Sequence, residues 1–275
     1  MPDYKLFFSA AGETRKGINH ENNEDNFLIG SHYKKECDAD RDSFSFTATN
    51  RCRYSLFAVF DGMGGGPYGE YASLYAAEEF YNVHMKLNDK LSPERVSCMI
   101  LDAFQTANNR IVRSPYMILG TTAAVCVLDR EKESVKFFWS GDSRGYLYRD
   151  KILFQMTEDQ SKAALSVKNG LYSKDDPRYR SDINKLTAFI GMDAYGYEFH
   201  PLETAWVSLK ANDMIFLMTD GISSVCSNPN IRSAVQKNIE PFAVGSLLCT
   251  ASASNSLDDL SVVQIKIYSE KHEEE

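Results

Sequence analysis

The sequence predicts an α+β layered fold. Three observations carry this: strand-length apolar runs come in hairpin-like groups, two long helical stripes stand next to each other between those groups, and strands and helices do not alternate as βαβ units would require.

Taken in order, strands are expected over Tyr4 to Ala10, Asn26 to Ile29 and Ser55 to Phe60, where Val, Ile, Phe and Tyr suit a pleated, half-buried surface. A helix is expected from Gly69 to Leu87, with Leu74, Ala77, Tyr81 and Met85 on one face. A second follows from Ser92 to Arg113, where Val96, Met99, Ile100, Ala103, Phe104, Ala107 and Ile111 form a continuous stripe. Ser92-Pro93-Glu94 supplies its N-cap, a proline at the first helical position and an early acid. Further strands are expected over Thr121 to Leu128, Val135 to Ser140, Gly145 to Arg149, Ile152 to Met156, Ala205 to Leu209, Met214 to Thr219 and Ser261 to Tyr268. DREKES between Leu128 and Val135 reads as a hairpin turn, and a third helix is expected from Pro241 to about Ala253. The polar stretches from His32 to Arg53 and over 162–185 read as a hairpin tip or loop and as a flap or insertion. One domain over 1–269 and a solvated acidic tail over 270–275 are expected.

Composition narrows the function. The 275 residues carry 30 basic against 38 acidic side chains, net charge -8, with a pI near 5.3. An acidic surface repels nucleic acid and anionic lipid, so neither is an expected partner. The six cysteines form no CxxC pair, and Cys126 and Cys249 lie in apolar runs, which argues against a zinc site or a disulfide framework. MPDYKLFFSAAGETRKG has neither a basic n-region nor a long apolar core, and no apolar run reaches membrane-spanning length. A reduced, cytoplasmic setting is expected.

The stretch FAVFDGMGGGPYGEYAS is unusual: the apolar run Phe57 to Phe60 ends at Asp61, and glycines follow at 62, 64, 65, 66 and 69. A nucleotide loop is one reading, since GGGPYG matches GxGxxG. Pro67, however, removes an N–H, no Lys-Ser/Thr follows, and Asp89, about 20 residues on, lies in KLNDKL rather than at a strand end. A plain Asp-Gly turn is a second reading, although it needs fewer glycines. A third is a metal site, with the Asp61 carboxylate and the Gly62 carbonyl as hard oxygen ligands suited to Mg²⁺ or Mn²⁺. That reading requires further acids at strand ends. They occur: Glu24 and Asp25 before NFLI, Asp142 in SGDSRG, Asp220 after MIFLMT, and Asp258-Asp259 before LSVVQI. Each alone is an ordinary turn residue; gathered by folding, they would repel one another without cations between them.

FAVFDGMGG, the NED before a strand, GTTAAVCVL, WSGDSRGYLYR, MTEDQS, IFLMTDGI and SLDDLSVV, in this order from Gly17 to Ile267, resemble the metal-dependent serine/threonine protein phosphatases of type 2C (PPM family), in their bacterial-like branch. The resemblance implies a four-layer α-β-β-α sandwich with two central antiparallel sheets and a binuclear Mg²⁺ or Mn²⁺ site at one edge. It implies that Asp61 bridges both metals, the Gly62 carbonyl binds the first, Asp220 and Asp258 bind the second, Glu24 and Asp25 contact metal directly or through water, and Asp142 with Asp220 holds a third, weaker ion. Phosphoserine or phosphothreonine on a phosphoprotein would be hydrolysed by water activated between the metals, opposing a Ser/Thr kinase.

Departures accompany the matches. His20 stands at the usual phosphate-binding arginine, Asp259 at a usual asparagine, Met63 where eukaryotic members carry histidine, Gln160 at the histidine of DHS, and Ala188 at the arginine of LTRALG. A histidine lacks the bidentate fork of arginine but retains a hydrogen bond or a proton for the leaving group. Arg178, Arg180 and Lys185 of the flap are candidates to compensate. The alternative function is a pseudophosphatase, a metal-holding interaction module that has lost turnover with the arginine. The complete set of acids argues against it.

Overall fold

A computed structural model describes residues 6–37, 39–47, 52–64, 68–116, 119–196, 198–237, 244–253 and 256–269. Two sheets lie at its centre, and every strand pair among the described residues is antiparallel. The strands are β1 (Leu6–Arg15), β2 (Asp25–Ile29), β3 (His32–Tyr33), β4 (Arg41–Thr47), β5 (Tyr54–Gly64), β6 (Leu119–Thr121), β7 (Ala123–Asp129), β8 (Ser134–Ser140), β9 (Arg144–Arg149), β10 (Ile152–Gln155), β11 (Leu202–Glu203), β12 (Val207–Ser208), β13 (Met214–Met218) and β14 (Leu260–Ser269). One sheet runs β10-β9-β13-β14-β1-β4; the other runs β11-β8-β7-β5-β2-β3, with β12 on β8 and β6 on β5.

The period of two along each strand builds the layers. On β5, Phe57 and Val59 point into the space between the sheets, where they meet Phe8, Phe27, Phe137, Leu217 and Val263. Leu56, Ala58 and Phe60 point the other way, against α1 (Gly69–His84) and α2 (Pro93–Val112) through Ala76, Phe80, Ile100 and Phe104. Across the molecule, Phe216, Met218 and Val262 pack on Ile231, Val235, Leu247 and Leu248 of α6 (Asn228–Lys237) and α7 (Val244–Ala253). Three apolar interfaces therefore separate four layers, α-β-β-α. α2 starts as expected: Ser92 Oγ accepts the Arg95 N–H at 3.2 Å, with Pro93 at the first turn. DREKES closes the β7–β8 hairpin, where Asp129 faces Ser134.

Several elements differ from expectation. β5 does not end at Asp61 but continues to Gly64, changing partner: up to Asp61 it pairs with β2, and from Gly62 it pairs with β6. An apolar run shows only the apolar part of a strand, so a paired end made of polar residues and glycine leaves no such signal. β1 reaches Arg15 for the same reason, since Gly12, Glu13 and Thr14 are held by β14 on one side and β4 on the other. The stretch read as a loop from His32 contains edge strand β4, whose Phe44 and Phe46 pack under the sheets while the residues between them face outward. The 162–185 segment forms α3 (Lys162–Lys168), capped by Ser161, and α4 (Pro177–Asp182), capped by Asp176. Its ends are tied together by Lys162 N to Lys185 O at 2.7 Å. The short α5 (Asp220–Ser223), α6 and β11 were not foreseen. Residues 241–243 of the expected third helix, the tail 270–275 and Gly65 to Pro67 of the nucleotide-loop reading lie outside the described residues. No helix among the described residues is long and apolar enough to cross a membrane.

Candidate metal centre

The site is built where β5 changes partner. Thr122 N and Thr121 Oγ1 both donate to the Asp61 carbonyl at 2.9 Å, which fixes the backbone there and leaves the carboxylate to the cleft. Asp25, the first residue of β2, stands directly across from Asp61. Gly62 N donates to the Glu24 carbonyl at 3.1 Å. From the other sheet, β13 is followed by Thr219, whose hydroxyl donates to Asp25 Oδ2 at 2.8 Å and accepts from Ser261 N at 3.0 Å. Asp220 follows at the start of α5, and Asp258 precedes β14. A cleft of about 290 Å³ is lined by Asp61, Asp142, Asp220 and Asp258, with Asn184 of the flap and Phe189 at its side. Every acid predicted from the sequence is thus in or beside one cleft.

Two glycines are explained by close approach. A Cβ on Gly62 would lie 2.2 Å from the Gly69 carbonyl oxygen and 2.5 Å from that of Glu24. One on Gly69 would lie 2.6 Å from the Glu24 carboxylate. Neither position has room for a side chain while the acids remain where they are.

The electrostatics are those of crowded anions in a poorly solvated place. Burial, then the charges of Asp220, Asp25, Asp258 and Asp142, push Asp61 well above the usual carboxylate range. Burial and then Asp220 and Asp159 raise Asp142 to about 8, against the pull of Arg144. Asp220 rises to about 6 through burial and Asp258. Glu24 rises to about 7, chiefly through burial. Asp25 is raised by burial and Asp259, opposed by hydrogen bonds from Ser261 and Thr219. Asp220 Oδ1 is buried without a hydrogen-bond partner. An all-carboxylate set with an orphaned oxygen fits hard divalent cations, which would relieve both the repulsion and the unpaired atom.

His20 also reaches this place. Its Nδ1 lies 2.8 Å from Asp259 Oδ2 and its Nε2 3.5 Å from Asp258 Oδ1. Burial disfavours its charged form, but the Asp259 hydrogen bond and the charges of Asp259, Asp258 and Glu24 outweigh that and raise its pKa. His20, Asp258 and Asp259 could together ligate an ion, with ligand atoms within 4.8 Å of one another. Asp259, however, already accepts from Gly17 N and Glu24 N as well as facing His20. Its oxygens are spent on the protein.

The flap cations do not line the cleft. Arg178 is bound to Asp176 and lies over Tyr172, and Lys185 is bound to Asp182. Sequence reasoning missed the supports of the site. Arg144 makes a two-pronged bond to Asp159, at 2.8 and 2.6 Å, and donates to the Ser223 carbonyl, so it anchors α5 beside Asp142. Both residues sit in the motifs SGDSRG and MTEDQS; an Arg two residues after a cleft acid was the available signal. Buried Lys34 donates to the Asn23 carbonyl and buried Glu70 accepts from Asn22, and nothing in the local sequence marks either.

Comparison with known proteins places the chain in a family. The family model for protein phosphatase 2C matches residues 30–258. The serine/threonine phosphatase stp of Listeria welshimeri is 26% identical over 181 residues, spanning 64% of this chain and 69% of that protein. The catalytic domain of the serine/threonine protein phosphatase PstP, solved with two manganese ions, superposes with a TM-score of 0.72 at 22% identity, covering 96% of this chain and 99% of that one. The serine/threonine phosphatase Stp1 of Staphylococcus aureus superposes with a TM-score of 0.76 at 20% identity, covering 94% of each. The sandwich shared with these structures and a family match over more than half of the 275 residues lead to one conclusion: the chain belongs to the protein phosphatase 2C family.

Proposed function

We propose that this cleft hydrolyses phosphoserine and phosphothreonine on protein substrates. The observation that carries the reading is the gathering of Asp61, Asp142, Asp220 and Asp258 from both sheets into one cleft, with a buried Asp220 oxygen unpaired. Asp61 and the Gly62 carbonyl would hold a first Mg²⁺ or Mn²⁺, Asp220 and Asp258 a second, with Glu24 and Asp25 beside them and Asp142 contributing to a third, weaker site. Bound cations would supply the charge that activates water and offsets negative charge on the phosphoryl oxygens. The chain's own part is to hold the carboxylates rigid through Thr121, Thr122 and Thr219, and to present His20 at the edge of Asp258 to the phosphate or the leaving oxygen.

Residues 1–269 would act as one catalytic domain in the cytoplasm, opposing a Ser/Thr kinase. Cys52, Cys98 and Cys126, free thiols in the structure, support a reducing setting. The acidic net charge supports a protein partner rather than nucleic acid or a membrane surface. The test is hydrolysis of a phosphothreonine peptide with Mn²⁺, with EDTA, and by Asp61→Asn. Metal-dependent turnover lost in the variant establishes the reading. Mn²⁺ binding without turnover would instead establish the metal-holding interaction module.

A further inference from the structure

Asp259 is a heavily engaged carboxylate beside the cleft. Its side chain is 1% exposed, and three donors converge on it: Gly17 N at 2.6 Å on Oδ1, Glu24 N at 2.7 Å on Oδ2, and His20 Nδ1 at 2.8 Å on Oδ2. Asn19 N donates to the Leu257 carbonyl at 3.1 Å, and the Gly17 backbone lies so close to Asp258 that a Cβ would fall 2.3 Å from its carbonyl carbon. The segment from Gly17 to Glu24 is therefore clamped onto the residues that lead into β14.

The acceptor count makes Asp259 hard to replace. A carboxylate presents two oxygens and no donor, so it can serve all three N–H groups. An asparagine has one oxygen. With that oxygen facing His20 and Glu24, its NH₂ would oppose Gly17 N–H; flipped, the NH₂ would oppose Glu24 N–H and force His20 to accept. As it stands, the Asp259 oxygens already accept from Gly17 N and Glu24 N, and Nδ1–H is the ring's donor to the same carboxylate. The ring then turns its other nitrogen, Nε2, to Asp258, the acid that lines both the cleft and the neighbouring depression bordered by Asn19 and His20.

We infer that Asp259 is a positioning residue that fixes the ring orientation of His20 through Nδ1–H, so that Nε2 faces Asp258 and the cleft, where it donates to the substrate phosphate once it carries the ring's second proton, while the same carboxylate places Glu24. This rests on the phosphatase reading for its substrate, but the ring orientation does not. A carboxylate acting through histidine sets which nitrogen faces outward, as the acid partner of a histidine does elsewhere.

The test combines a spectrum with kinetics. In ¹⁵N-histidine spectra of the metal-free protein, under alkaline conditions where the ring is neutral, His20 is expected as the Nδ1–H tautomer, and Asp259→Asn is expected to shift it toward Nε2–H. Inorganic phosphate added to the Mg²⁺-loaded protein is expected to move the His20 Nε2 signal in the native chain and much less in Asp259→Asn. With a phosphothreonine peptide, Asp259→Asn is expected to raise KM by roughly tenfold with a smaller change in kcat, and to add little in a His20→Ala background. His20→Asn, which keeps a donor near Nδ1 but loses Nε2, is expected to be as impaired as His20→Ala. An Nε2–H tautomer in the native protein overturns the inference, as does an unmoved Nε2 signal with phosphate. Full recovery in His20→Asn also overturns it, because the histidine would then be only a tether. Should Asp259→Asn fail to fold, the native spectra and the His20→Asn comparison decide. Absence of turnover would count against the phosphatase reading, and the two spectra would still judge the positioning role.

Discussion

Asp25 and Asp61 face each other across the β2–β5 pair, one at the first residue of its strand and the other where β5 leaves β2 for β6. Two acids opposed in an antiparallel ladder repel, and like charges so placed destabilise a sheet. The surrounding structure compensates for this rather than avoiding it: Thr219 donates to Asp25, and Thr121 and Thr122 hold the Asp61 backbone. A cation held beside the pair, as proposed above, would offset the repulsion.

Asp61→Asn removes one of the facing charges and a proposed metal ligand of the cleft. Phosphopeptide turnover with Mn²⁺ is expected to fall by roughly a hundred- to a thousandfold. Calorimetry is expected to show weaker Mn²⁺ binding, while the melting temperature without metal holds or rises. An unchanged rate would mean that the chemistry lies elsewhere.

The crowded acids make stability depend on pH and metal together. A carboxyl whose folded pKa exceeds its unfolded value holds protons that the unfolded chain has released. Its stabilisation is complete below the unfolded pKa and is lost as pH rises through the folded one. Asp142, raised to about 8, and Asp220, raised to about 6, place that loss between about pH 4 and 8. Without metal, the melting temperature is expected to fall by several degrees from about pH 5 to pH 8. Mg²⁺ or Mn²⁺ is expected to raise it more at pH 8 than at pH 5, because cations bind the ionised form. Scanning calorimetry across pH, with and without EDTA, checks both parts.

Thr219→Val deletes the hydroxyl that joins Asp25 to β14. It leaves a buried carboxylate oxygen and the Ser261 N–H unsatisfied, at about 1–2 kcal/mol. Metal affinity is expected to drop roughly tenfold, since the side chain orients a proposed ligand. Thr219→Ser, which keeps the hydroxyl, should recover most of both. Denaturant unfolding and Mn²⁺ titration separate the two effects.

Arg144→Met breaks the two-pronged bond to Asp159 and frees α5 from its anchor at the Ser223 carbonyl. The pair is largely shielded from water, with 17% and 14% side-chain exposure. Leaving the Asp159 charge there with only the Gln155 amide as donor is expected to cost about 3 kcal/mol, on the order of 6–10 °C in melting temperature. The double variant Arg144→Met/Asp159→Leu is expected to be less destabilised than the single one, which a double-mutant cycle would measure.

The sequence by itself determined the apolar period of each strand, the stripe of α2 with its Ser92-Pro93 start, and the placing of acids at strand ends. These are local: burial alternates with the pleat, caps follow the backbone, and a charge cannot continue a buried run. It was also enough to name Asp61, Asp142, Asp220 and Asp258 as one set, because the same local device recurs four times. Only the tertiary structure decided how β5 continues past Asp61 by exchanging β2 for β6, and that β4 pairs with β1 despite its polar composition. Only it joined Arg144 to Asp159, Thr219 to Asp25, and His20 to Asp259 across 239 positions of chain. Hydrogen bonds and ion pairs between distant segments leave no periodic trace in sequence. Their partners are chosen by geometry that exists only after the two sheets have packed.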